Sequence, residues 1–326
     1  MCGIVGYIGN KKATPILIDG LLSLEYRGYD SSGIATIENN KIIVKKDKGR
    51  VSNLNKLEDI DKLKGTIGIA HTRWATHGKP SKENSHPHMD NSKTFAVVHN
   101  GIIENYNELR EFLSTKGYTF LSQTDTEVIP NLIHYYFFNN GFQSNQDKFL
   151  SSVKAAIDDL KGSFAIGVIS HMFPDRLIVT RKDSPLVIGK SETENLIASD
   201  IPAILSYTKN FYLLDDNEFA VIYKDNILFF DSQLVSHTKA IKNVEWDVSS
   251  ARKDGYEDFM LKEIFEQPNA LRETIGPKFS VGEKCQLDNI QISKEDLNKI
   301  DKIYIVACGT AMHAGLVRKK HYRKSL

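Results

Sequence analysis

Cys2 stands directly behind Met1, and it is the residue of this chain whose chemistry reaches furthest. Removal of Met1, which the small cysteine side chain permits without a protease or propeptide, would leave one residue carrying both a thiol and a free α-amine. A thiol has to lose its proton before it can attack, and an α-amine with a reference pKa of about 7.7–8.0 is a base for that step near neutral pH. Cys2 is also suited to be a small buried side chain at the head of the apolar run 3–8. Four polar segments, EYRGYDS (25–31), HTRWATHG (71–78), HNG (99–101) and TDTE (124–127), fall at expected strand ends and loops, where positioned functional groups gather. A thiolate attacking a carboxamide needs two donors for the developing oxyanion, and the Asn100 side-chain amide beside the Gly101 N–H is such a pair. An amino-acid substrate needs a cation for its carboxylate and an anion for its ammonium, and Arg73 and Asp125 are the available pair.

Each of these residues has a structural reading as well. Asn-Gly after a strand is a hairpin-turn signal, and Asp125 between Thr124 and Glu127 ahead of an apolar helix is a helix N-cap. Trp74 fits a core or interface, and Arg27 a structural ion pair. The histidines His71, His77, His86, His88 and His99 raise the question of a metal. No helical His-x-x-x-His pair and no adjacent cysteine supports one, so no metal site is expected.

The elements that must hold these residues read as α+β. Short strands are expected at 4–8, 33–38, 41–46, 66–72, 96–99, 164–170, 176–180, 186–188, 196–198, 220–223 and 227–230, with hairpin turns at Asn39-Asn40 and 224–226. Apolar spacing predicts helices around Ile16, Leu17, Leu21 and Leu24 and over 105–116, 125–138 and 147–160. Hairpins with interposed helices favour stacked antiparallel sheets covered by helices over a parallel βαβ series. Beyond about residue 240 the texture changes to a polar linker at 247–255, a helix at 259–275 that Pro268 is expected to kink or split, and a helical connector at 287–300. An apolar strand is expected at 302–307, turning through Cys308-Gly309-Thr310 into a helix from Ala311, which is how a parallel α/β unit opens. The run 318–326 is strongly basic and reads as a solvated tail.

Composition bounds the function. The 326 residues leave room for two domains, and 41% apolar with 25% charged residues is globular rather than disordered. The 42 basic and 41 acidic side chains nearly cancel, so no overall field gathers nucleic acid or anionic membrane. The three cysteines, Cys2, Cys285 and Cys308, are too scattered for a disulfide framework or a thiolate zinc site, and they fit a reducing cytoplasm. No basic segment precedes an apolar core as in a signal peptide, and no apolar run approaches the roughly 18 residues of a membrane span.

Taken together and in order, MCGIVGYIG, LEYRGYDSSGIA, GIAHTRWATHG, NSHPHM, VVHNGIIENY, TDTEV, SPLVIG and NLIASD resemble the N-terminal-cysteine glutamine amidotransferases. Within them the chain resembles the glutaminase half of the glutamine–fructose-6-phosphate aminotransferase family. Tyr29 in RGYD, the AHTRWATHG loop and the EQPNA helix point to this aminosugar branch over amidophosphoribosyltransferase or asparagine synthetase. The resemblance runs from Met1 to about Leu316. It implies the four-layer αββα sandwich of antiparallel sheets of N-terminal nucleophile (Ntn) hydrolases over residues 1–240. A linker with helices over 241–300 and the first strand of an incomplete α/β sugar-isomerase (SIS) domain over 301–326 would follow.

The resemblance also implies roles. Cys2 would form a γ-glutamyl thioester with its own α-amine as base, and Asn100 and Gly101 would form the oxyanion hole. Arg73 would hold the glutamine α-carboxylate and Asp125 the α-ammonium, with Thr76, His77 and His86 lining the pocket on a mobile loop. Trp74 would gate the route of ammonia, and Arg27 would support the nucleophile from behind. Glutamine is the implied partner, and fructose 6-phosphate is one only for a complete family member. No cofactor is implied, because acyl transfer through a thioester needs none. A homo-oligomer is compatible with the family; nucleic acid and membrane are not implied. Of the sugar-phosphate site the chain keeps Cys308-Gly309-Thr310, with Ala311 where the family often has serine, and residues 317–326 no longer read like the family. The expectation is therefore a chain competent for the glutaminase step and not for complete aminosugar synthesis. The competing expectation is an inactive or regulatory remnant that binds glutamine or a full-length subunit.

Overall fold

The computed structural model describes residues 2–75, 77–141, 147–245, 256, 259–276, 292–307 and 309–322. The chain divides into two compact units, residues 1–255 and 256–326. In the first, strand β1 (Gly3–Ile8) is followed by helix α1 (Ala13–Ser23), the hairpin β2 (Ser31–Glu38) and β3 (Lys41–Lys48), the short α2 (Val51–Leu54), β4 (Ile67–Arg73), β5 (His88–Met89) and β6 (Phe95–Ile103). Helices α3 (Tyr106–Thr115), α4 (Val128–Asn139) and α5 (Lys148–Asp158) come next. The remaining strands are β7 (Gly162–Ser170), β8 (Leu177–Lys182), β9 (Val187–Lys190), β10 (Asn195–Ala198), β11 (Asn210–Leu213), β12 (Phe219–Ile222), β13 (Ile227–Phe230), β14 (Ser236–His237) and β15 (Lys242–Asn243).

These strands form two sheets. An eight-stranded sheet runs β15-β11-β9-β10-β1-β4-β2-β3, and a seven-stranded sheet runs β14-β13-β12-β8-β7-β6-β5. Each neighbouring pair is antiparallel, as the hairpin-rich pattern predicts. The alternation along each strand explains the stacking. Ile4 and Ile8 of β1, Ile69 of β4, Ala96 and Val98 of β6 and Ala165 and Ile169 of β7 share one core between the sheets. Val5 and Tyr7 face the other way, onto Leu17 and Leu21 of α1. Phe95, Val97, Phe164 and Ile166 likewise turn outward, onto Leu109 of α3, Ile129 and Leu132 of α4 and Phe149 and Val153 of α5. A period of two on strands buried on both sides thus yields helix, sheet, sheet, helix.

Gly6 of β1 lies opposite Ile197 of β10 in the same sheet, and a Cβ there would stand 2.6 Å from the Ile197 side chain, which would have to shift.

The second unit holds α6 (Phe259–Ile275), α7 (Lys294–Leu297) and α8 (Gly309–Tyr322). The helix expected at 259–275 forms, and Pro268 does not split it: α6 runs unbroken through that residue. The strand expected at 302–307 is not formed, and Ile303, Tyr304, Ile305 and Val306 are exposed. Strand backbone groups need a neighbour to pair with, and among the described residues this unit offers only helices. The expected linker at 247–255 and residues Cys285 and Cys308 lie outside the described residues. Among those described, no helix is long and apolar enough to cross a membrane.

Leu17 is fully buried between α1 and the eight-stranded sheet. Leu17→Ala is expected to cost about 2–5 kcal/mol, read as a lower denaturation midpoint at unchanged m-value.

Candidate functional site

Cys2 immediately precedes β1, a strand paired on one side to β10 and on the other to β4. Its carbonyl accepts from Arg27 Nε at 2.9 Å and from Asn100 Nδ2 at 3.2 Å. The Arg27 guanidinium also meets Asp200, with Nη1 to Oδ2 at 3.6 Å. Arg27 thus contacts both the Asp200 carboxylate and the Cys2 carbonyl. The thiol lies against the backbone of Trp74, whose N–H donates to Sγ at 3.3 Å and whose carbonyl is 3.6 Å away. Burial pushes the thiol up from its usual range, although the Trp74 N–H and the nearby Arg73 charge draw it part of the way back. It is thus protonated at neutral pH and needs a base to react.

The segment after β4 is docked from below by EYRGYDS. Asp30 N–H donates to Arg73 O at 3.1 Å, Thr72 Oγ1 donates to Gly28 O at 2.5 Å, and the Asp30 carboxylate accepts from Ala75 N–H. A Cβ on Gly28 would stand 2.6 Å from the Arg73 carbonyl carbon, so glycine is what allows this approach. Arg73 ends β4 and is buried. Its Nη2 donates to the carbonyls of His77 and Gly78, and its Nη1 is buried with no hydrogen-bond partner among the described residues. A buried guanidinium with an open N–H direction is suited to a carboxylate. Trp74 is half-exposed and its ring packs edge-on against Tyr29, centroids 5.7 Å apart. The His77 ring packs edge-on against Tyr106 at 5.5 Å. Thr76 lies outside the described residues.

Asn100 and Gly101 are not a hairpin turn. They sit within β6, opposite Ala165 and Phe164 of β7. Gly101 has φ 129°, and a Cβ there would lie 2.0 Å from Ser163 O, so the position is closed to other residues. Asp125 is not a helix cap either: α4 begins at Val128, and Asp125 Oδ2 instead accepts from Ile103 N–H at 2.8 Å, tying its loop to the end of β6. Arg110 Nη2 donates to Ser122 O at 3.1 Å and Thr124 O at 3.0 Å, while the Glu127 carboxylate takes the N–H groups of Leu121 and Ser122. That loop is therefore held from both ends.

Four buried imidazoles cluster around the β5–β6 edge: His71 faces the space between the sheets, opposite Ile4, whereas His88 and His99 share the helix-side face of Val97 and Ile166. His86, which precedes a cis proline, stacks on His71 at 4.1 Å, packs against His88 at 4.8 Å, and accepts from His99 N–H at 3.4 Å. His99 Nδ1 meets Thr126 Oγ1 at 2.8 Å and His88 Nε2 meets Thr124 Oγ1 at 3.1 Å. Burial lowers His71 to about 3 and holds His86 and His88 well below the usual imidazole range; His99 is lowered by the same cause. The cluster is neutral, and among the described residues no group of histidines, cysteines and carboxylates is arranged to hold a metal ion. Lys46 clasps the loop bearing His86, donating to Ser85 O at 2.6 Å and Pro87 O at 3.1 Å, with burial pulling its ammonium down to about 8.

Sequence reasoning missed Ser199, Asp30, Lys46, Arg110 and Glu127 as supports. Ser199 lies in NLIASD and Asp30 in EYRGYDS, so both were in segments already singled out. Lys46 and Arg110 carry no local signal, since only the folded chain brings them to their carbonyls.

The geometry agrees with what is similar to this chain. A family model described as a glutamine amidotransferase domain matches residues 71–206. The chain is 53% identical over 319 residues to the glutamine–fructose-6-phosphate aminotransferase [isomerizing] of Clostridium perfringens. It is 46% identical over 320 residues to that of Gloeobacter violaceus and 44% over 324 residues to that of Methanosarcina mazei. Each alignment covers 98% of this chain but 51% or 52% of the relative, so the chain spans about half the length of the curated relatives it matches. Among solved structures, the glutamine phosphoribosylpyrophosphate amidotransferase of B. subtilis, complexed with ADP and GMP, aligns with a TM-score of 0.61 at 25% identity, covering 72% of this chain and 50% of that one. Two stacked antiparallel sheets with the cysteine-headed strand at their centre define the class: this is a glutamine amidotransferase domain of the Ntn type. More narrowly, the chain belongs to the glutamine–fructose-6-phosphate aminotransferase family.

Four imidazoles neutral in the fold take up protons on unfolding once the pH is below about 6.5, so stability is full above that value and is lost as the pH falls toward the depressed folded values. Thermal melts through this range should show a falling midpoint, and a flat profile would contradict neutral burial. The raised thiol predicts that iodoacetamide labelling of Cys2 keeps accelerating above about pH 8.5.

Proposed function

We propose that Cys2, freed of Met1, is the nucleophile with which this amidotransferase hydrolyses glutamine. The observation that carries the reading is the Cys2 thiol held against the Trp74 backbone, with the Asn100 amide at its own carbonyl and the Arg73 charge close by. The α-amine takes the thiol proton, Sγ attacks the γ-carboxamide carbon, and the oxygen that becomes negative is met by Asn100 Nδ2–H and Gly101 N–H. The proton is returned to the departing nitrogen, ammonia leaves, and water cleaves the thioester to give glutamate. Arg73 binds the glutamine α-carboxylate through its open Nη1 direction, and Asp125 binds the α-ammonium. His77 and His86 line the pocket, Trp74 covers it, and Arg27 steadies Cys2.

The domain is taken as residues 1–240, with 241–300 as connector and 301–326 as the start of a sugar-isomerase portion. By the names of its relatives, fructose 6-phosphate is the proposed acceptor of the ammonia in the enzyme to which this unit belongs. Both small molecules would be met in the cytoplasm.

Glutamate release by chain with verified loss of Met1 tests the reading. Cys2→Ala should abolish release. Arg73→Ala should raise KM for glutamine about a hundredfold, the worth of a charge-assisted hydrogen-bond pair, with a smaller change in kcat. Release equal to that of Cys2→Ala would favour the inert remnant instead.

A further inference from the structure

We propose that His71 and Ser199 are positioning residues for this reaction, together fixing the Asn100 carboxamide with its N–H groups turned toward Cys2. The proposal rests on the oxyanion role of Asn100 given above and explains how that role is enforced.

A terminal carboxamide rotates over a broad, roughly twofold torsion, and its two ends are opposite in function: one donates and the other accepts. Turned the wrong way, Asn100 would present oxygen to a developing oxyanion. Asn100 lies on β6 of the seven-stranded sheet, and both partners reach it from the eight-stranded sheet. His71 Nε2, on β4, lies 2.9 Å from Asn100 Oδ1 and 3.0 Å from His99 O. The backbone carbonyl of His99 can only accept, so Nε2 carries the proton, and the Asn100 atom facing it must be oxygen. The ring is held in place by its stack on His86. Burial keeps His71 neutral, which leaves its single proton on Nε2 and a bare Nδ1 with no partner among the described residues.

Ser199 fixes the other end. Its Oγ accepts from Asn100 Nδ2 at 2.8 Å and from Ile4 N–H at 2.8 Å, while its own N–H donates to Ile4 O at 3.0 Å. The hydroxyl is thereby tied to the backbone two residues beyond Cys2. One Nδ2 hydrogen is spent on Ser199. The other points at Cys2 O over a longer 3.2 Å and is the one that an oxyanion on the Cys2 adduct can take over. Arg27 Nε also holds the Cys2 carbonyl, at 2.9 Å, so losing the Asn100 orientation should tell mainly where negative charge develops, lowering kcat and leaving glutamine affinity and thiol reactivity in place.

The test is steady-state glutamate release by Met1-free full chain, alongside the iodoacetamide labelling rate of Cys2. His71→Leu should lower kcat about a hundredfold, with KM and labelling each within about threefold of wild type. His71→Gln, which can place an amide N–H where Nε2 stands, should recover at least about tenfold of that loss. Ser199→Ala should lower kcat about tenfold and Ser199→Thr should restore it. Undiminished kcat in both His71→Leu and Ser199→Ala, no recovery in His71→Gln, or a labelling rate that falls as far as kcat would each overturn the proposal. If His71→Leu does not fold, the Ser199 pair decides. A readout independent of turnover is nitrogen-15 NMR of histidine-labelled wild type: His71 should be the Nε2–H tautomer throughout neutral pH, and an Nδ1–H tautomer would overturn the proposal. Wild-type chain no more active than Cys2→Ala would fail the amidotransferase reading itself, whereas an active wild type with indifferent variants fails only this inference.

Discussion

The first strand of the chain lies in the middle of a sheet, and the site depends on that. A residue at a chain end ordinarily frays, because it has covalent continuity on one side only and little to pair with. Here the strand behind Cys2 is hydrogen-bonded along both edges, to β10 and β4, and its apolar side chains are buried on both faces. Ser199 exchanges hydrogen bonds with Ile4 at its start, and Arg27 and Asn100 hold the Cys2 carbonyl. Cys2, the proposed nucleophile, is thus located by cross-strand bonds rather than by chain on its amino side. A free α-amine is compatible with that arrangement.

The second consequence is that polar groups must be buried where the two sheets meet. A dry interface tolerates imidazole only when it is neutral and its hydrogens are placed. His71 meets that condition by its stack on His86 and by placing its Nε2–H between His99 O and Asn100 Oδ1. The same low-dielectric setting strengthens any donor aimed at developing charge, because no water reorganises in its place. It also raises the thiol, so the environment that favours the oxyanion makes a local base necessary. Charged side chains on carbonyls and amides tie the loops above the sheets: partly buried Lys46 on 85–87 and Arg110 on 122–124, and buried Glu127 on 121–122.

Much of this was legible in the sequence. The period-two apolar strands and the hairpin turns set stacked antiparallel sheets, and the ordered polar motifs set the family and the chemistry, because each is a property of neighbouring residues. Strand β6 was expected only at 96–99 and runs to Ile103, which moves Asn100 and Gly101 from a turn into a ladder. The short outer strands β11, β14 and β15 carry too few alternating residues to announce themselves. The apolar run 302–307 reads as a strand but forms none, since pairing depends on a neighbour and not on composition.

The sequence by itself determined that a cysteine stands at position 2, that an amide and a glycine follow one another at 100–101, and that an arginine and an aspartate are available at 73 and 125. Tertiary structure decided which way each of them faces. The Asn100 amide takes its direction from His71 and Ser199, residues 29 and 99 positions away in sequence, and Asp125 takes its place from Ile103 rather than from the helix that follows it. Local residue types fix what a group can donate or accept. Its partner is fixed only when two sheets, closing over a shared apolar core, bring distant strands within hydrogen-bonding distance.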